Sequence, residues 1–292
     1  MYKGIVTPMI TPMGQNGEID YRATEILIDN LADFGVDGLF PMGSTGLFPM
    51  FSTDEKKKFL GFVRDHSKKI EVYAGVGSSS TQESVELSKY TEDIGIKVRV
   101  LMPTYYIKPD EDWMYRHFST VISAASNDLF IYNIPQLSGS WISESLIEKL
   151  TREFSNVKGI KDSSGDMRFF SRIIRHKNEK FDIFQGQDDL LFLSLSIGAS
   201  GGVCGLSNIS PYITNLYHEF SAGNLEKARK IQIDEVNPLM YAINEATFPA
   251  GYYYAFYKMN GIKGGYRAPM VEPTTDQKKK IDQELTKIPK KQ

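Results

Sequence analysis

The chain predicts an α/β fold: a closed (β/α)₈ barrel of the TIM type, followed by a helical extension. Three observations carry this expectation. Short apolar runs alternate eight times with longer amphipathic runs, the pattern of parallel strands joined by crossover helices. Several of the short runs are apolar throughout, as strands covered on both faces are. The length, 292 residues, accommodates a barrel of roughly 250 residues and leaves room for an appendage.

In chain order the strand candidates are Ile5–Ile10, Gly38–Met42, Glu71–Val76, Val98–Met102, Leu129–Asn133, Val157–Lys161, Phe181–Gln185 and Gly201–Gly205. Helix starts are readable between them. Asp20 precedes Tyr21–Phe34, and Ser52 with Glu55 gives a capping-box spacing before Lys56–Asp65. Thr81 opens Gln82–Asp93, Asp110 opens Glu111–Ala125, and Ser143 opens Glu144–Phe154. Gly35 and Gly95 stand where helix ends favour a left-handed residue. Leu190–Ile197 is apolar enough to be read as a buried helix, and Pro211 begins the eighth. Right-handed crossovers then place the helices outside the ring. Residues 1–222 are expected to form the barrel. Residues 223–292 are expected to form an extension packed on it, with helices near Leu225–Asn244, Pro249–Met259 and Thr275–Lys287. The lysine run Lys278–Lys280 reads as a solvated helix face.

Composition narrows the function. Apolar residues make up 41% and charged residues 24%, with a net charge of −2, so no basic field directs the chain to nucleic acid or anionic lipid. A small-molecule partner is expected. The one cysteine, Cys204, forms no internal disulfide and suits a reducing cytoplasm; in its strand it reads as a small buried hydrophobe. No apolar window approaches a membrane span, and no signal peptide of the usual form is read at the N-terminus. His66, His117, His176 and His218 fall in helix candidates rather than at strand ends, which argues against a histidine metal centre. No glycine-rich dinucleotide fingerprint follows the first strand. No metal and no cofactor are expected.

A barrel keeps its active site at the C-terminal ends of its strands. There stand Gly43-Ser44-Thr45-Gly46, Tyr105-Tyr106, Tyr132-Asn133-Ile134-Pro135, Gly159-Ile160-Lys161-Asp162-Ser163, Gly186-Gln187-Asp188 and Gly205-Leu206-Ser207-Asn208. Lys161 closes an otherwise apolar strand, and desolvation there favours the neutral, nucleophilic amine. A lone lysine in such a place more often snorkels to the rim or pairs with a neighbour such as Asp162. Tyr132 offers a phenol that can move protons if it lies beside the amine; alone it reads as a core aromatic with a satisfied hydroxyl. The Gly-Ser-Thr-Gly segment can present hydroxyls and N–H groups to a carboxylate, or be only a turn.

Together these segments, with the opening Val6-Thr7-Pro8-Met9-Ile10-Thr11-Pro12, resemble the N-acetylneuraminate lyase and dihydrodipicolinate synthase superfamily of class I aldolases across essentially the whole chain. The resemblance implies that Lys161 forms a Schiff base with a 2-oxo acid, so that the protein itself supplies the electron sink. It implies that Tyr132 shuttles protons and that Ser44 and Thr45 hold the substrate carboxylate. It also implies that Tyr106 reaches into a neighbouring subunit's site, and that the protein is a homotetramer built as a dimer of dimers. Gly186, through its carbonyl, and Asp188, through its carboxylate, match positions that hold sugar hydroxyls. Gly205 and Ser207 complete the substrate contacts. Read without the resemblance, Asp188 could equally be a helix cap, with Asp189 the better candidate.

Dihydrodipicolinate synthases carry an acidic residue directly after the Gly-Thr-Thr-Gly segment and an arginine soon after the Tyr-Asn-x-Pro segment. Here Leu47 follows Gly46, and Gln136-Leu137-Ser138 follows Pro135. Gly-Ser-Thr-Gly-Leu-Phe-Pro is more similar to the archaeal 2-keto-3-deoxygluconate aldolases. That resemblance implies reversible cleavage of a 2-keto-3-deoxy-sugar acid to pyruvate and glyceraldehyde, in non-phosphorylative sugar catabolism. With only Lys108 as an evident cation near the mouth, an unphosphorylated acid is expected. The alternatives are another pyruvate-dependent lyase of the superfamily (a dihydrodipicolinate synthase, a sialic-acid-type lyase or a keto-deoxy-glucarate dehydratase), a non-catalytic sugar-acid-binding barrel, and a metal-dependent aldolase or phosphate-binding barrel.

Overall fold

The computed structural model describes residues 1–289. Its strands are β1 (Gly4–Pro8), β2 (Gly38–Phe40), β3 (Glu71–Gly75), β4 (Val98–Leu101), β5 (Asp128–Asn133), β6 (Val157–Asp162), β7 (Asp182–Gln185) and β8 (Gly201–Val203). Each pairs in parallel with the next, and β8 pairs with β1 to close the barrel. At that seam a Cβ on Gly201 would stand 1.9 Å from the carbonyl oxygen of Gly4. Only glycine lets the two strands approach there.

The helices are α1 (Tyr21–Asp33), α2 (Thr53–His66), α3 (Thr81–Asp93), α4 (Glu111–Ser123), the single turn α5 (Pro135–Ser138), α6 (Glu144–Glu153), α7 (Met167–Ile173), α8 (Leu191–Ser196) and α9 (Tyr212–Ser221). The extension adds α10 (Leu225–Ile231), α11 (Asn237–Asn244), α12 (Ala250–Asn260) and α13 (Thr275–Leu285). The expected caps at Asp20, Ser52, Asp110 and Ser143 all accept backbone N–H groups, and Ser52 and Glu55 form the reciprocal box. Gly35 and Gly95 adopt φ of +72° and +77°. No helix among the described residues is long and apolar enough to cross a membrane.

Three local expectations change, and one helix, α7, was not among the candidates. The third helix is capped by Ser80, not Thr81, because it is the Ser80 hydroxyl that meets the N–H of Glu83. Asp166 caps α7, a helix too short for its periodicity to stand out in the sequence. The apolar helix α8 buries Leu191 and Leu195 but leaves Leu193 51% and Ile197 42% exposed, since residues four apart share one face and those between them do not. The stretch read as one helix over Leu225–Asn244 is interrupted by a π-helical turn, Gln232–Val236, followed by Pro238, which has no N–H to donate. Lys278, Lys279 and Lys280 pair with Glu272, Asp276 and Glu245, as a solvated face would.

The barrel is filled, not hollow. Tyr73, Phe130 and Phe184 meet edge to face at 5.6 Å, with Tyr2 closing the lower end against Tyr73 and Phe130. Such T-shaped contacts pack rings densely without stacking like-charged faces. This aromatic floor leaves only the C-terminal rim open to a ligand. Fully buried Arg99 on β4 donates to the carbonyls of Val121, Ala125 and Asn127, satisfying the end of α4.

The extension is tied to the rim by tyrosines of α12. Tyr253 Oη accepts the Thr11 N–H (3.0 Å) and donates to the Thr45 carbonyl (3.3 Å); Tyr257 Oη accepts the Met13 N–H (2.8 Å). A single apolar cluster runs from Ile5 in β1 through Ile243, Tyr253 and Ile281 in the extension. Tyr253→Phe removes the acceptor of the buried Thr11 N–H, and should lower stability by about 1–3 kcal/mol. Urea unfolding of the variant against the parent chain checks this.

Candidate active site

The β5–β6 register sets the centre of the site. Tyr132 lies opposite Lys161 and Asn133 opposite Asp162. Side chains alternate across a strand, so the first pair enters the barrel mouth while the second points to the helix side. Lys161 is 5% and Tyr132 4% exposed. The lysine Nζ lies 4.1 Å from the centre of the Tyr132 ring and 5.1 Å from that of Phe40, against the electron-rich faces that attract a cation. Lys161 makes no ion pair among the described residues. Asp162 is turned away: it accepts Asn133 Nδ2 (2.8 Å) and the Ser164 hydroxyl (2.8 Å). Burial raises the Asp162 carboxyl to about 6, against the lowering effect of these hydrogen bonds.

Lys161 and Tyr132 stand in a cavity of about 220 Å³, bounded on the barrel side by Thr45, Ser163, Gly186 and Gly205. Ser44 borders an adjoining cleft with Tyr132. The buried hydroxyls of Ser44 and Ser163 have no partner among the described residues, an expensive state for a polar group unless a ligand or water meets it. Ser163, two residues beyond Lys161 at the strand end, had been given no role from sequence. Gly186 could not be any other residue without movement. A Cβ there would fall 2.0 Å from Ser163 Oγ and 3.0 Å from Lys161 Cε.

The structure redraws the remaining assignments. Asp188 lines the cavity but is fully enclosed, and its two oxygens accept the N–H groups of Gly205 and Leu206 at 2.8 Å each. It clamps the β7 loop to the β8 loop rather than presenting a free carboxylate to a sugar. Burial raises it to about 6, opposed by those same two bonds. The turn at Asp188–Leu190 has Gln187 at its cap position and no side-chain cap, so Asp189 does not cap it. Ser207 is excluded from the cavity: its hydroxyl is fully buried and donates to the Cys204 carbonyl. Tyr106 is 97% exposed at a left-handed φ of +76° and does not line this cavity. Cys204 is buried, and desolvation pushes its thiol up. Among the described residues a group with metal-ligand atoms, Glu144, Glu148 and His176, lies in the helical shell, where Arg175 also donates to Glu144.

The far wall comes from the extension: Met240 and Asn244 on α11, Phe248, and Tyr252 on α12. None of these was anticipated from sequence. Burial, reinforced by Asp188, pushes the Tyr252 phenol up. Its ring packs so closely on Gly205 that a Cβ there would meet it at 2.9 Å.

Fold and site together define the class, a (β/α)₈-barrel lyase. The chain belongs to the dihydrodipicolinate synthetase family, whose model matches residues 1–288. It is 52% identical over 262 residues to the 2-dehydro-3-deoxy-D-gluconate/2-dehydro-3-deoxy-phosphogluconate aldolase of Picrophilus torridus, covering 90% of this chain and 97% of that one. It is 32% identical over 291 residues to the 4-hydroxy-tetrahydrodipicolinate synthase of Hydrogenobaculum, covering 98% and 99%. The solved structure of 2-keto 3-deoxygluconate aldolase from Picrophilus torridus superposes with a TM-score of 0.92 over 94% of this chain and 99% of that one, at 52% identity.

Gly186→Ala should keep the fold but push Ser163 and Lys161 from their places, lowering kcat/KM by about 100-fold, as steady-state kinetics on folded protein will check. Asp162→Asn tests the buried carboxyl. Its pKa is raised on folding from 3.8 to about 6, so its contribution to stability is complete below about pH 4 and is lost as pH rises through 6. Asparagine can keep the bonds to Asn133 and Ser164 without a charge. The variant should therefore lose less stability than the parent chain between pH 4 and pH 7, by up to about 3 kcal/mol, in urea unfolding at the two values.

Proposed function

We propose that the chain is a class I aldolase that cleaves 2-keto-3-deoxy-sugar acids, with 2-keto-3-deoxygluconate the leading substrate, to pyruvate and glyceraldehyde, and that it catalyses the reverse condensation. The observation that carries this reading is the burial of the Lys161 amine against the Tyr132 ring at the open end of the barrel. The 52% identity to the Picrophilus aldolase supports this substrate over that of the dihydrodipicolinate synthases, at 32%. The absence of an acidic residue directly after Gly46 supports it too.

The chemistry follows from the groups present. The Lys161 amine, in its unprotonated form, attacks the C2 ketone to give a carbinolamine; the Tyr132 phenol gives its proton to the departing hydroxyl, so that water leaves and a protonated imine forms. The Tyr132 phenolate so formed takes the proton of the C4 hydroxyl, the C3–C4 electron pair moves into the imine, and the aldehyde departs, leaving on Tyr132 the proton that C3 then receives. The enamine left on Lys161 is protonated at C3, and water releases pyruvate and the amine. Ser44 and Thr45 hold the carboxylate, and the free Ser44 hydroxyl gives it a donor. The Gly186 carbonyl and the Ser163 hydroxyl meet the sugar hydroxyls. Gly205 shapes the wall, held by Asp188. No cofactor is required, because the protonated imine is itself the electron sink.

Lys161 is the only lysine, and there is no arginine, among the residues that bound the cavity. A phosphate at the distal end would want such a partner, which supports the unphosphorylated acid. The exposed, strained Tyr106 with its neighbour Ile107, 60% exposed, suits a residue that completes a second subunit's site, in a homotetramer assembled as a dimer of dimers. The reducing cytoplasm is the compartment this reading assigns.

Borohydride reduction in the presence of pyruvate, followed by peptide mapping, tests the proposal. A pyruvate-derived adduct on Lys161 is expected, absent in Lys161→Ala. Folded protein that gives no adduct, beside a control aldolase that does, rejects it.

A further inference from the structure

One buried amide joins the barrel side of the cavity to the extension. Gln232, 5% exposed, lies in the π-helical turn between α10 and α11. Its Nε2 donates to the Asp188 carbonyl (3.0 Å) and to Asn237 Oδ1 (2.8 Å), and its Oε1 accepts the Phe192 N–H (3.0 Å). Both donor hydrogens are thereby used. Asp188 carries the connection on, through its carboxylate, to Gly205 and Leu206. The β7 loop, the β8 loop and the start of α11 are thus held from one side chain.

The turn itself decides what α11 presents. The Asn237 N–H bonds to the Gln232 carbonyl five residues back, and Pro238 cannot donate the next bond. An extra residue in a helix turns everything beyond it by about 100°. Met240 and Asn244, four residues apart and so on one face, line the cavity, while Tyr241 is 58% exposed.

We propose that Gln232 is a positioning residue for the distal end of the substrate, fixing through the π turn and the Asp188 carbonyl the face of α11 that meets the carbons beyond C4. The inference rests on the aldolase reading and deepens it. It separates two ends of one substrate: the carboxylate and ketone are held by barrel residues that Gln232 does not touch.

The test uses the full chain, Gln232→Met, which keeps the length but offers no hydrogen bonds, and Asn237→Ala, which removes one of the three bonds at a half-buried position. Two quantities are compared: the pyruvate concentration giving half-maximal borohydride trapping, and KM and kcat for cleavage of 2-keto-3-deoxygluconate. KM should rise about tenfold in Gln232→Met and by less in Asn237→Ala, with pyruvate half-saturation within twofold of the parent. An unchanged KM in either folded variant overturns the proposal. So does an equal weakening of KM and pyruvate trapping, the mark of a merely structural residue. If Gln232→Met does not fold, Asn237→Ala decides alone. Failure of the parent chain to trap pyruvate is a separate result and rejects the aldolase reading beneath it.

Discussion

The pairing of β5 with β6 is the constraint on which the site depends. Because strand residues alternate sides, one register sends Tyr132 and Lys161 together into the mouth and Asn133 and Asp162 together behind them. A slip of one residue would reverse both pairs. The outward pair is joined by a hydrogen bond of 2.8 Å, and Asn133 also accepts the Ile142 N–H, so the polar contact behind the sheet opposes that slip. The acid beside the lysine in sequence is therefore not its ion-pair partner in space. A lysine so placed keeps its amine available for chemistry.

The aromatic floor serves the same end. Phe40, Tyr73, Phe130 and Phe184 close the barrel beneath Lys161, so the amine has a ring wall on one side and the open mouth on the other. Its surroundings are apolar where a carboxylate would otherwise hold it, and polar only toward a ligand. The orphaned hydroxyl of Ser163 lies in the cavity itself, where a ligand can meet it, and that of Ser44 borders the adjoining cleft beside Tyr132.

What was legible in the sequence was local. Asp20, Ser52, Asp110 and Ser143 announce their helices because a cap bonds an N–H two or three residues away. Lys161 and Tyr132 stand out because each ends an apolar run, and a barrel gathers all such ends at one face. The role of Asp188 was not legible, since its partners, Gly205 and Leu206, come from another loop. Met240, Asn244, Phe248 and Tyr252 were hidden for a different reason. They sit in or beside helices whose apolar pattern reads as packing, and the face that α11 turns to the cavity depends on a π turn that no periodicity of 3.6 reveals. Ser207 misled because a hydroxyl at a strand end satisfies its own loop as readily as a ligand.

The division of the cavity between barrel and extension has a physical consequence. In the proposed reaction the reacting carbons need a lysine, a phenol and hydroxyls for the carboxylate at fixed positions, and strand ends supply fixity because ladder hydrogen bonds hold their main chain. The variable part of a sugar acid needs only a wall of suitable shape, which a helix can supply and a change of helical face can replace. Tyr253 and Tyr257 anchor that wall to the segment Thr11–Met13 beyond β1 and to Thr45, which borders the reacting centre. Helices bound in this way can alter what the distal wall accepts while the Lys161–Tyr132 geometry stays under the control of β5 and β6.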